Sequence, residues 1–108
     1  MKRLMNKISK YRSIPTLVNG ITFHSKKEAE KYRDLLLLER AKKVSDLQMQ
    51  VPFPCVVNGK KICSYFADFV YTEKGKQVVL DVKGYRTPLY KMKKKLVEAL
   101  YDLKILEV

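Results

Sequence analysis

The segment from Asp68 to Lys83 constrains the fold most, because it predicts two β-strands joined by a tight turn. Both arms are rich in Phe, Val, Tyr and Leu, and Lys74-Gly75 stands between them, a pattern typical of a β-hairpin. If those two residues form the loop, Asp68 faces Asp81 across the hairpin. The sequence therefore predicts two carboxylates side by side at one end of the hairpin.

This pair of carboxylates predicts a site for a divalent cation. Directly opposed residues of an antiparallel pair have Cβ atoms about 4.5–5.5 Å apart, and two negative charges about 5 Å apart repel by roughly 3 kcal/mol at an effective dielectric near 20. Mg²⁺ would remove that repulsion, because it is held by one or two carboxylates with water and phosphate. Strand alternation places Lys83 on the same face as Asp81. Two acids and an amine in one place suit phosphodiester cleavage.

A simpler interpretation of the same residues remains open. Aspartate and lysine are also ordinary solvated residues of a surface hairpin, and a three-residue loop would shift the register and separate Asp68 from Asp81.

The composition predicts a soluble nucleic-acid-binding protein of one domain. A chain of 108 residues supports a single core, which we expect to span residues 13–108 after a basic arm at residues 1–12. Lysine and arginine number 23 against 11 acids, giving a net charge of +12 and a pI near 9.8. This excess predicts DNA as the partner, although it also suits solubility or an anionic membrane surface.

The cysteines and the apolar runs bear on where the protein works. Cys55 and Cys63 have neither metal-site nor disulfide-framework spacing, which predicts free thiols in the cytoplasm. No apolar run reaches the length of a membrane span or of a signal-peptide core, so we expect neither membrane insertion nor export.

The N-terminal half predicts a hairpin followed by a helix. Asn19-Gly20 is a strong two-residue turn signal within Thr16–Phe23, and Ser25 with Glu28 has capping-box spacing. We expect the helix to run to Lys42, with Glu28 inside its buried arc. A cap explains Glu28, and a shared metal with the two aspartates would also explain it. The other residues predicted in that arc are Ala29, Tyr32, Leu35, Leu36 and Glu39.

The C-terminal half predicts three more strands and a helix around the hairpin. The prolines at 52 and 54 confine a strand over residues 48–57 to a sheet edge or a bulged position, and Asn58-Gly59 leads into the strand 60–71 with Cys55 opposite Ile62. The strand 76–83 is apolar enough for a central position, and residues 105–108 predict a final strand parallel to a neighbour. A helix begins at Thr87-Pro88, and its predicted buried residues are Leu89, Met92, Leu96, Ala99 and Leu100.

A basic surface is predicted on that second helix and on the loop before it. Between Val82 and Val97 there are six basic residues and no acid. A lysine-rich face is often merely solvated, but this one begins close to the predicted site and could hold a phosphate backbone. The candidate DNA-binding residues are Tyr85, Arg86, Tyr90, Lys91, Lys94 and Lys95.

These motifs, in this order, resemble the PD-(D/E)xK nuclease superfamily. Its acid on the first helix matches Glu28, its strand aspartate matches Asp68 in Ala-Asp-Phe-Val-Tyr, and its (D/E)xK matches Asp81 and Lys83 in Asp-Val-Lys-Gly. Ala67 stands where the family has proline. The chain also resembles a family of small phage and prophage proteins of poorly defined function, over roughly residues 11–108.

The resemblance implies a fold and an activity. The fold is α+β (α/β): an αβββαβ core with a mixed four-stranded sheet flanked by two helices, here preceded by a hairpin. The implied activity is Mg²⁺- or Mn²⁺-dependent DNA hydrolysis leaving a 5′-phosphate. Asp68, Asp81 and Glu28 would serve the metal with the carbonyl of Val82, and Lys83 would assist the attacking water.

Three functions compete at this point. The first is a homodimeric, phage-derived endonuclease acting in a bacterial cytoplasm on branched DNA such as a four-way (Holliday) junction, since so small a chain favours DNA shape over a long recognition sequence. The second is a catalytically inactive module that keeps the fold and binds DNA. The third is a basic partner of an acidic protein.

Overall fold

The computed structural model describes residues 16–83 and 85–108. They divide into two compact units, with the boundary between Lys42 and Lys43. The basic arm predicted at residues 1–12 lies outside the described residues, and the single domain over residues 13–108 stays a prediction. Of the helices described, neither is long and apolar enough to cross a membrane.

The first unit contains a short hairpin and a helix, as predicted. Strands β1 (Thr16–Val18) and β2 (Ile21–Phe23) pair antiparallel. Asn19 and Gly20 both have positive φ, 52° and 78°, as a type I′ turn requires. Helix α1 spans Lys26–Arg40 and so ends two residues before the predicted Lys42.

The buried face of α1 includes an acid, as the sequence predicted. Glu28 is 6% exposed, and it lies with buried Ala29, Tyr32 and Leu35. The prediction was wrong for Glu39, which is exposed, because a periodic arc counts positions alone and an unpaired carboxylate is more stable in water than in a core.

The second unit is a mixed four-stranded sheet with one helix. Strands β3 (Ser45–Val57), β4 (Lys60–Glu73) and β5 (Lys76–Asp81) pair antiparallel in that order, and β6 (Ile105–Glu107) pairs parallel with β5. Helix α2 (Pro88–Tyr101) connects β5 to β6 and packs on β3 and β4. The elements of the chain therefore follow the predicted αβββαβ order after an N-terminal hairpin, and β3 is an edge strand.

The core of this unit lies between α2 and the sheet. Its buried members come from β3, β4, β5, α2 and β6, so every element of the unit contributes to one cluster: Phe53, Cys55, Tyr65, Ala67, Val70, Val79, Val97 and Ile105.

The predicted register between β3 and β4 was wrong by one residue at the cysteines. The pairs nearest the Asn58-Gly59 turn follow the prediction, but an irregularity between Cys55 and Val56 shifts the rest. Cys55 therefore faces Cys63 instead of Ile62. Both thiols are free, with Cys55 buried and Cys63 partly exposed.

The predicted buried face of α2 was also wrong except at Leu96, which is partly buried against the core. Leu89 and Met92 are 57% and 64% exposed, whereas Val97 is fully buried; Ala99 and Leu100 are exposed as well, and Leu96 is half-buried. The helix instead turns Tyr90 and Val97 toward the sheet. Tyrosine and lysine can bury their apolar parts while their polar ends find partners, which a count of apolar residues does not register.

Candidate functional site

Asp68 and Asp81 lie side by side where the β4–β5 ladder ends. Lys74 and Gly75 have φ of 53° and 76° and form the predicted two-residue turn, which sets the register down to the pair Phe69–Leu80. The two aspartates come next on their strands. The central sequence prediction, that this turn brings the two carboxylates together, is confirmed.

Reciprocal hydrogen bonds join the two aspartates to the backbone of the opposite strand. The amide of Asp68 donates to Asp81 Oδ1 at 2.8 Å, and the amide of Val82 donates to Asp68 Oδ2 at 2.9 Å. Gln50 Nε2 on β3 donates to Asp68 Oδ1 at 3.1 Å. Asp68 thus has both oxygens hydrogen-bonded, and the pair closes the open end of the ladder.

The second carboxylate oxygen of Asp81 has no such partner. Asp81 is 0% exposed, and its buried Oδ2 accepts no hydrogen bond from the described residues. Burial raises the pKa of this carboxyl, and the charge of Glu107 adds to the rise, while the hydrogen bond from Asp68 and the charges of Lys83 and Lys94 oppose it. A buried carboxylate without a full set of partners is costly, and a bound cation would supply the missing partner.

The donor set fits a hard divalent ion that keeps part of its water shell. Among the described residues no cluster of three or more His, Cys, Asp or Glu side chains could enclose a metal. Mg²⁺ does not require one, since it is commonly held by one or two carboxylates with water and substrate phosphate. Asp68 and Asp81 are therefore sufficient side-chain ligands, and the carbonyl of Val82 as a further ligand stays a prediction.

Lys83 lies two residues beyond the assigned end of strand β5 at Asp81. Val108 donates to the carbonyl of Asp81 at 3.0 Å, and its own carbonyl accepts from the Lys83 amide at 3.1 Å, so the parallel hydrogen bonding between β5 and β6 continues as far as Lys83. The prediction that Lys83 shares a face with Asp81 stays a prediction. The ammonium of Lys83 lies 4.7 Å from the centre of the Tyr90 ring, a cation–π distance.

Glu107 belongs to the surroundings of the site and was missed by the sequence analysis. It pairs with Asp81 on the neighbouring strand, accepts from Tyr90 Oη at 2.7 Å and is ion-paired with Arg86 at 3.0 Å. The hydrogen bond from Tyr90 and the charge of Arg86 lower the pKa of Glu107. Burial and that same bond raise the pKa of Tyr90. The predicted parallel strand was the available signal, but its register could not be derived without the fold.

The six candidate DNA-binding residues differ in what they already contact. Tyr85 is 74% exposed, and Lys91 and Lys95 are also exposed. Lys94 is half-buried and ion-paired with Glu98 at 3.1 Å. Tyr90 and Arg86, as described, contact Glu107. A role of all six in DNA binding stays a prediction, with Tyr85, Lys91 and Lys95 the most accessible of them.

Glu28 belongs to the first unit and has the capping geometry that the sequence predicted. Its amide donates to Ser25 Oγ at 3.1 Å, and its Oε1 accepts from the amide of His24 at 3.3 Å. The first bond is the one that an N-cap serine makes in a capping box, whereas the second goes to the amide of His24, one residue before the N-cap Ser25. The role of Glu28 at a metal stays a prediction.

Fold and site together define a small α+β protein in which buried Asp81 and half-buried Asp68 are paired near a lysine. Residues 8–107 match the family model described as "Protein of unknown function (DUF1064)". The match covers nearly the whole chain, so the chain belongs to this family. No curated protein and no solved structure matches it.

Proposed function

We propose that this protein is a metal-dependent endonuclease that hydrolyses phosphodiester bonds of DNA. The observation that carries the proposal is the buried Oδ2 of Asp81, which lacks a hydrogen-bond partner among the described residues and lies beside Asp68. A purely structural role in closing the ladder requires only the oxygens that accept the two backbone amides. A carboxylate oxygen left over in a buried position is better explained as a ligand for Mg²⁺ or Mn²⁺.

Each residue of the site has a separate task in this mechanism. Asp68 and Asp81 would hold the ion, which would supply a water of lowered pKa and withdraw charge from the scissile phosphate. Asp68 is itself held by Gln50 and by the amide of Val82, so its orientation is fixed before substrate binds. Lys83 orients the attacking water or neutralises the charge that develops on the phosphate.

Glu107 contributes to this mechanism by positioning Tyr90, whose ring contacts Lys83. Tyr90 is held by its hydrogen bond to Glu107 and offers its ring to the Lys83 ammonium. Because Glu107 is also ion-paired with Arg86, its charge is largely compensated. Lys83 therefore has a fixed aromatic support and no competing ion pair from Glu107.

The substrate class follows from charge and size. A net charge of +12 on 108 residues favours the phosphate backbone over a particular base sequence, and so small a chain favours recognition of DNA shape. A branched intermediate, such as a four-way junction, is our preferred substrate, and cutting both strands there requires a homodimer. This proposal agrees with the resemblance to PD-(D/E)xK nucleases, and a phage or prophage origin is proposed together with it.

A cleavage panel tests the proposal. Labelled four-way, flap, duplex and single-stranded DNAs are incubated with Mg²⁺ or Mn²⁺ and with wild type, Asp81→Asn, Lys83→Ala, and the matched controls Asp46→Asn and Lys76→Ala at exposed positions. We expect products with 5′-phosphates from wild type and both controls, and loss of at least about 100-fold, roughly 3 kcal/mol of barrier, in the two site variants. Intact DNA in every wild-type reaction would contradict the proposed endonuclease activity.

Metal binding is measured separately from activity. Mg²⁺ at about 100 times its Kd should raise the unfolding free energy of wild type by about 2.7 kcal/mol, because the ion binds the folded site. Asp46→Asn should respond in the same way, and Asp81→Asn should lose the response. Equal stabilisation of both variants would place the ion elsewhere.

The reciprocal hydrogen bonds favour a second candidate, a non-catalytic DNA-binding module. In that case the aspartates only close the ladder. DNA binding would depend strongly on salt, Asp81→Asn would leave it unchanged or tighten it, and no product would form with any metal.

A further inference from the structure

An open pocket of about 230 Å³ lies within the second unit. Neither aspartate of the pair lines it, but Lys83 and Tyr90 belong both to its lining and to the surroundings of the site described above. The lining of the pocket also includes Lys93, Phe66 and Tyr65. The volume is somewhat below the roughly 300–1,000 Å³ typical of pockets for drug-sized ligands. A single base or sugar-phosphate group is therefore a better fit than a longer ligand.

Two amines give this pocket a positive charge. Lys93 Nζ lies 3.5 Å from the carbonyl of Ser64, and Lys83 Nζ lies over the Tyr90 ring. Within residues 16–83 and 85–108, neither amine is ion-paired with a carboxylate, in contrast to Arg86 and Lys94. A lysine facing only water is ordinary, but two unpaired amines in one pocket favour an anion such as phosphate.

The pocket also offers an aromatic surface. Phe66 is 55% exposed although it lies on β4, a central strand, and Leu89 beside it is 57% exposed. A single exposed aromatic residue is common on protein surfaces. Next to lysines it has a specific use, because a base that is not paired can stack on such a ring.

A third observation comes from Tyr65, which lines the pocket and is only 4% exposed. Its buried hydroxyl makes no hydrogen bond with any other described residue. Buried tyrosine hydroxyls usually have a partner, so a polar group of a ligand is expected there. Charge, stacking surface and unsatisfied hydroxyl thus coincide at one pocket.

We propose that this pocket binds one unpaired nucleotide of a DNA strand. Its base stacks on Phe66, and its phosphate is held by Lys83 and Lys93. The inference rests on the proposed function in that the neighbouring phosphate lies at the aspartate pair. It makes the substrate class narrower: DNA with a single-stranded or splayed segment binds, and fully paired duplex does not enter, because its bases are already stacked within the helix.

Binding in EDTA tests this proposal without cleavage. Anisotropy with single-stranded, flap and blunt duplex DNA of equal length is compared for wild type, Phe66→Ala and the control Ile62→Ala, another exposed apolar position of β4. We expect Phe66→Ala to weaken single-strand and flap binding about 5- to 150-fold, the range of base–aromatic stacking, and to leave duplex binding unchanged. The proposed nucleotide binding would be wrong if both variants weakened single-strand binding equally, or if Phe66→Ala weakened duplex binding as much as single-strand binding.

The proposed contact between Lys93 and the phosphate is tested by the salt dependence of DNA binding. Lys93→Ala should reduce the slope of log affinity against log salt by about 0.7 for single-stranded DNA, as expected for one lost phosphate contact. An unchanged slope contradicts the phosphate role of Lys93.

A tryptophan at position 66 gives a second test of stacking that remains usable if Phe66→Ala disturbs folding. The chain has no tryptophan, so Phe66→Trp introduces a single emitter at the proposed stacking surface. Single-stranded DNA should quench its emission and duplex should not, whereas Ile62→Trp should respond to neither. Absence of quenching at Phe66→Trp while DNA is bound contradicts stacking.

The two proposals fail separately. Selective quenching without any cleavage would support nucleotide binding in the pocket and contradict the nuclease activity. The opposite result is cleavage that Asp81→Asn abolishes but that Phe66→Ala leaves unchanged on every DNA. It would support the nuclease activity and contradict nucleotide binding in the pocket.

Discussion

Asp81 is a buried acid whose charge the metal-free protein supports poorly. It is 0% exposed and only Oδ1 accepts a backbone hydrogen bond. Burial raises its pKa more than the surrounding positive charges lower it. A carboxyl with a raised pKa in the folded state contributes stability below its ordinary pKa, and that contribution is lost as pH rises through the raised value.

Asp81→Asn should therefore stabilise the metal-free protein at neutral pH. An amide keeps an oxygen for the amide of Asp68 and carries no charge that burial penalises. We expect a gain of about 1–3 kcal/mol, the usual cost of a buried group left unsatisfied, which shrinks as pH falls through the raised pKa of Asp81 and is absent below the ordinary aspartate pKa. Urea unfolding in EDTA at neutral and acid pH measures it.

Exposed Asp46 provides the control for that experiment. Asp46→Asn should change stability little at either pH, because its side chain faces water. A less stable Asp81→Asn at neutral pH would mean that the charged carboxylate is already satisfied without a metal.

At the scale of elements, local turn chemistry made the hairpins predictable. Asn19-Gly20, Asn58-Gly59 and Lys74-Gly75 all have positive φ at both positions, and the last of them determines that Asp68 and Asp81 meet. Pro54 precedes the irregularity between Cys55 and Val56 and is compatible with a bulge, but it fits an edge strand equally well and so does not determine the register. The position of Glu107 also had to come from the fold, because a parallel strand is connected through a helix and its register depends on packing.

Cys55 and Cys63 allow the observed register to be checked in solution. Opposed residues in an antiparallel pair have Cβ atoms about 4.5–5.5 Å apart, close to the roughly 3.5–4.5 Å of a disulfide. Diamide, which takes up the two thiol hydrogens, should therefore form an intramolecular disulfide that mass spectrometry detects. Burial and the neighbouring Cys63 raise the pKa of Cys55, so the reaction should be faster at alkaline pH.

Cys63→Ser provides the control for the oxidation. It should form no intramolecular bridge under the same conditions. If wild type also fails to form one and instead makes only intermolecular dimers, the predicted pairing of Cys55 with Ile62 would regain support.

Glu98 joins α2 to β6. Its Oε2 accepts from the amide of Ile105 at 2.8 Å and from Lys94 at 3.1 Å. Burial acts to raise the pKa of Glu98, but the two bonds and the nearby lysines outweigh it, so the pKa is lowered. The resulting stability is present above the ordinary glutamate pKa and is lost as pH falls through the lowered value.

Glu98→Ala should destabilise the protein by about 1.5–3 kcal/mol at neutral pH, as expected for hydrogen bonds to a charged group. Glu98→Gln should lose less, since its oxygen can still accept from Ile105. Denaturant unfolding measures both, with Glu30→Ala at an exposed position of α1 as the control. A loss no larger than that of Glu30→Ala would show that this bond does not hold β6 in place.

At the scale of the whole molecule, the charge excess is the property most directly tied to a partner. A net charge of +12 can attract DNA, an acidic protein or an anionic surface. DNA differs from the others because each neutralised phosphate releases counterions in a fixed proportion. Salt dependence, measured variant by variant, therefore identifies both the partner class and the surface that it uses.

Lys91→Ala and Lys95→Ala should each reduce the slope of log affinity against log salt by about one on duplex DNA. Both side chains are exposed on α2 and carry no described ion pair, so each charge is free to meet a phosphate. Lys76→Ala is the control. Lys76 begins strand β5 and Asp81 ends it, so this variant should leave the slope unchanged. Equal slopes for all three variants would mean that DNA binds another surface, and the lysines of α2 would then be solvated residues without a partner.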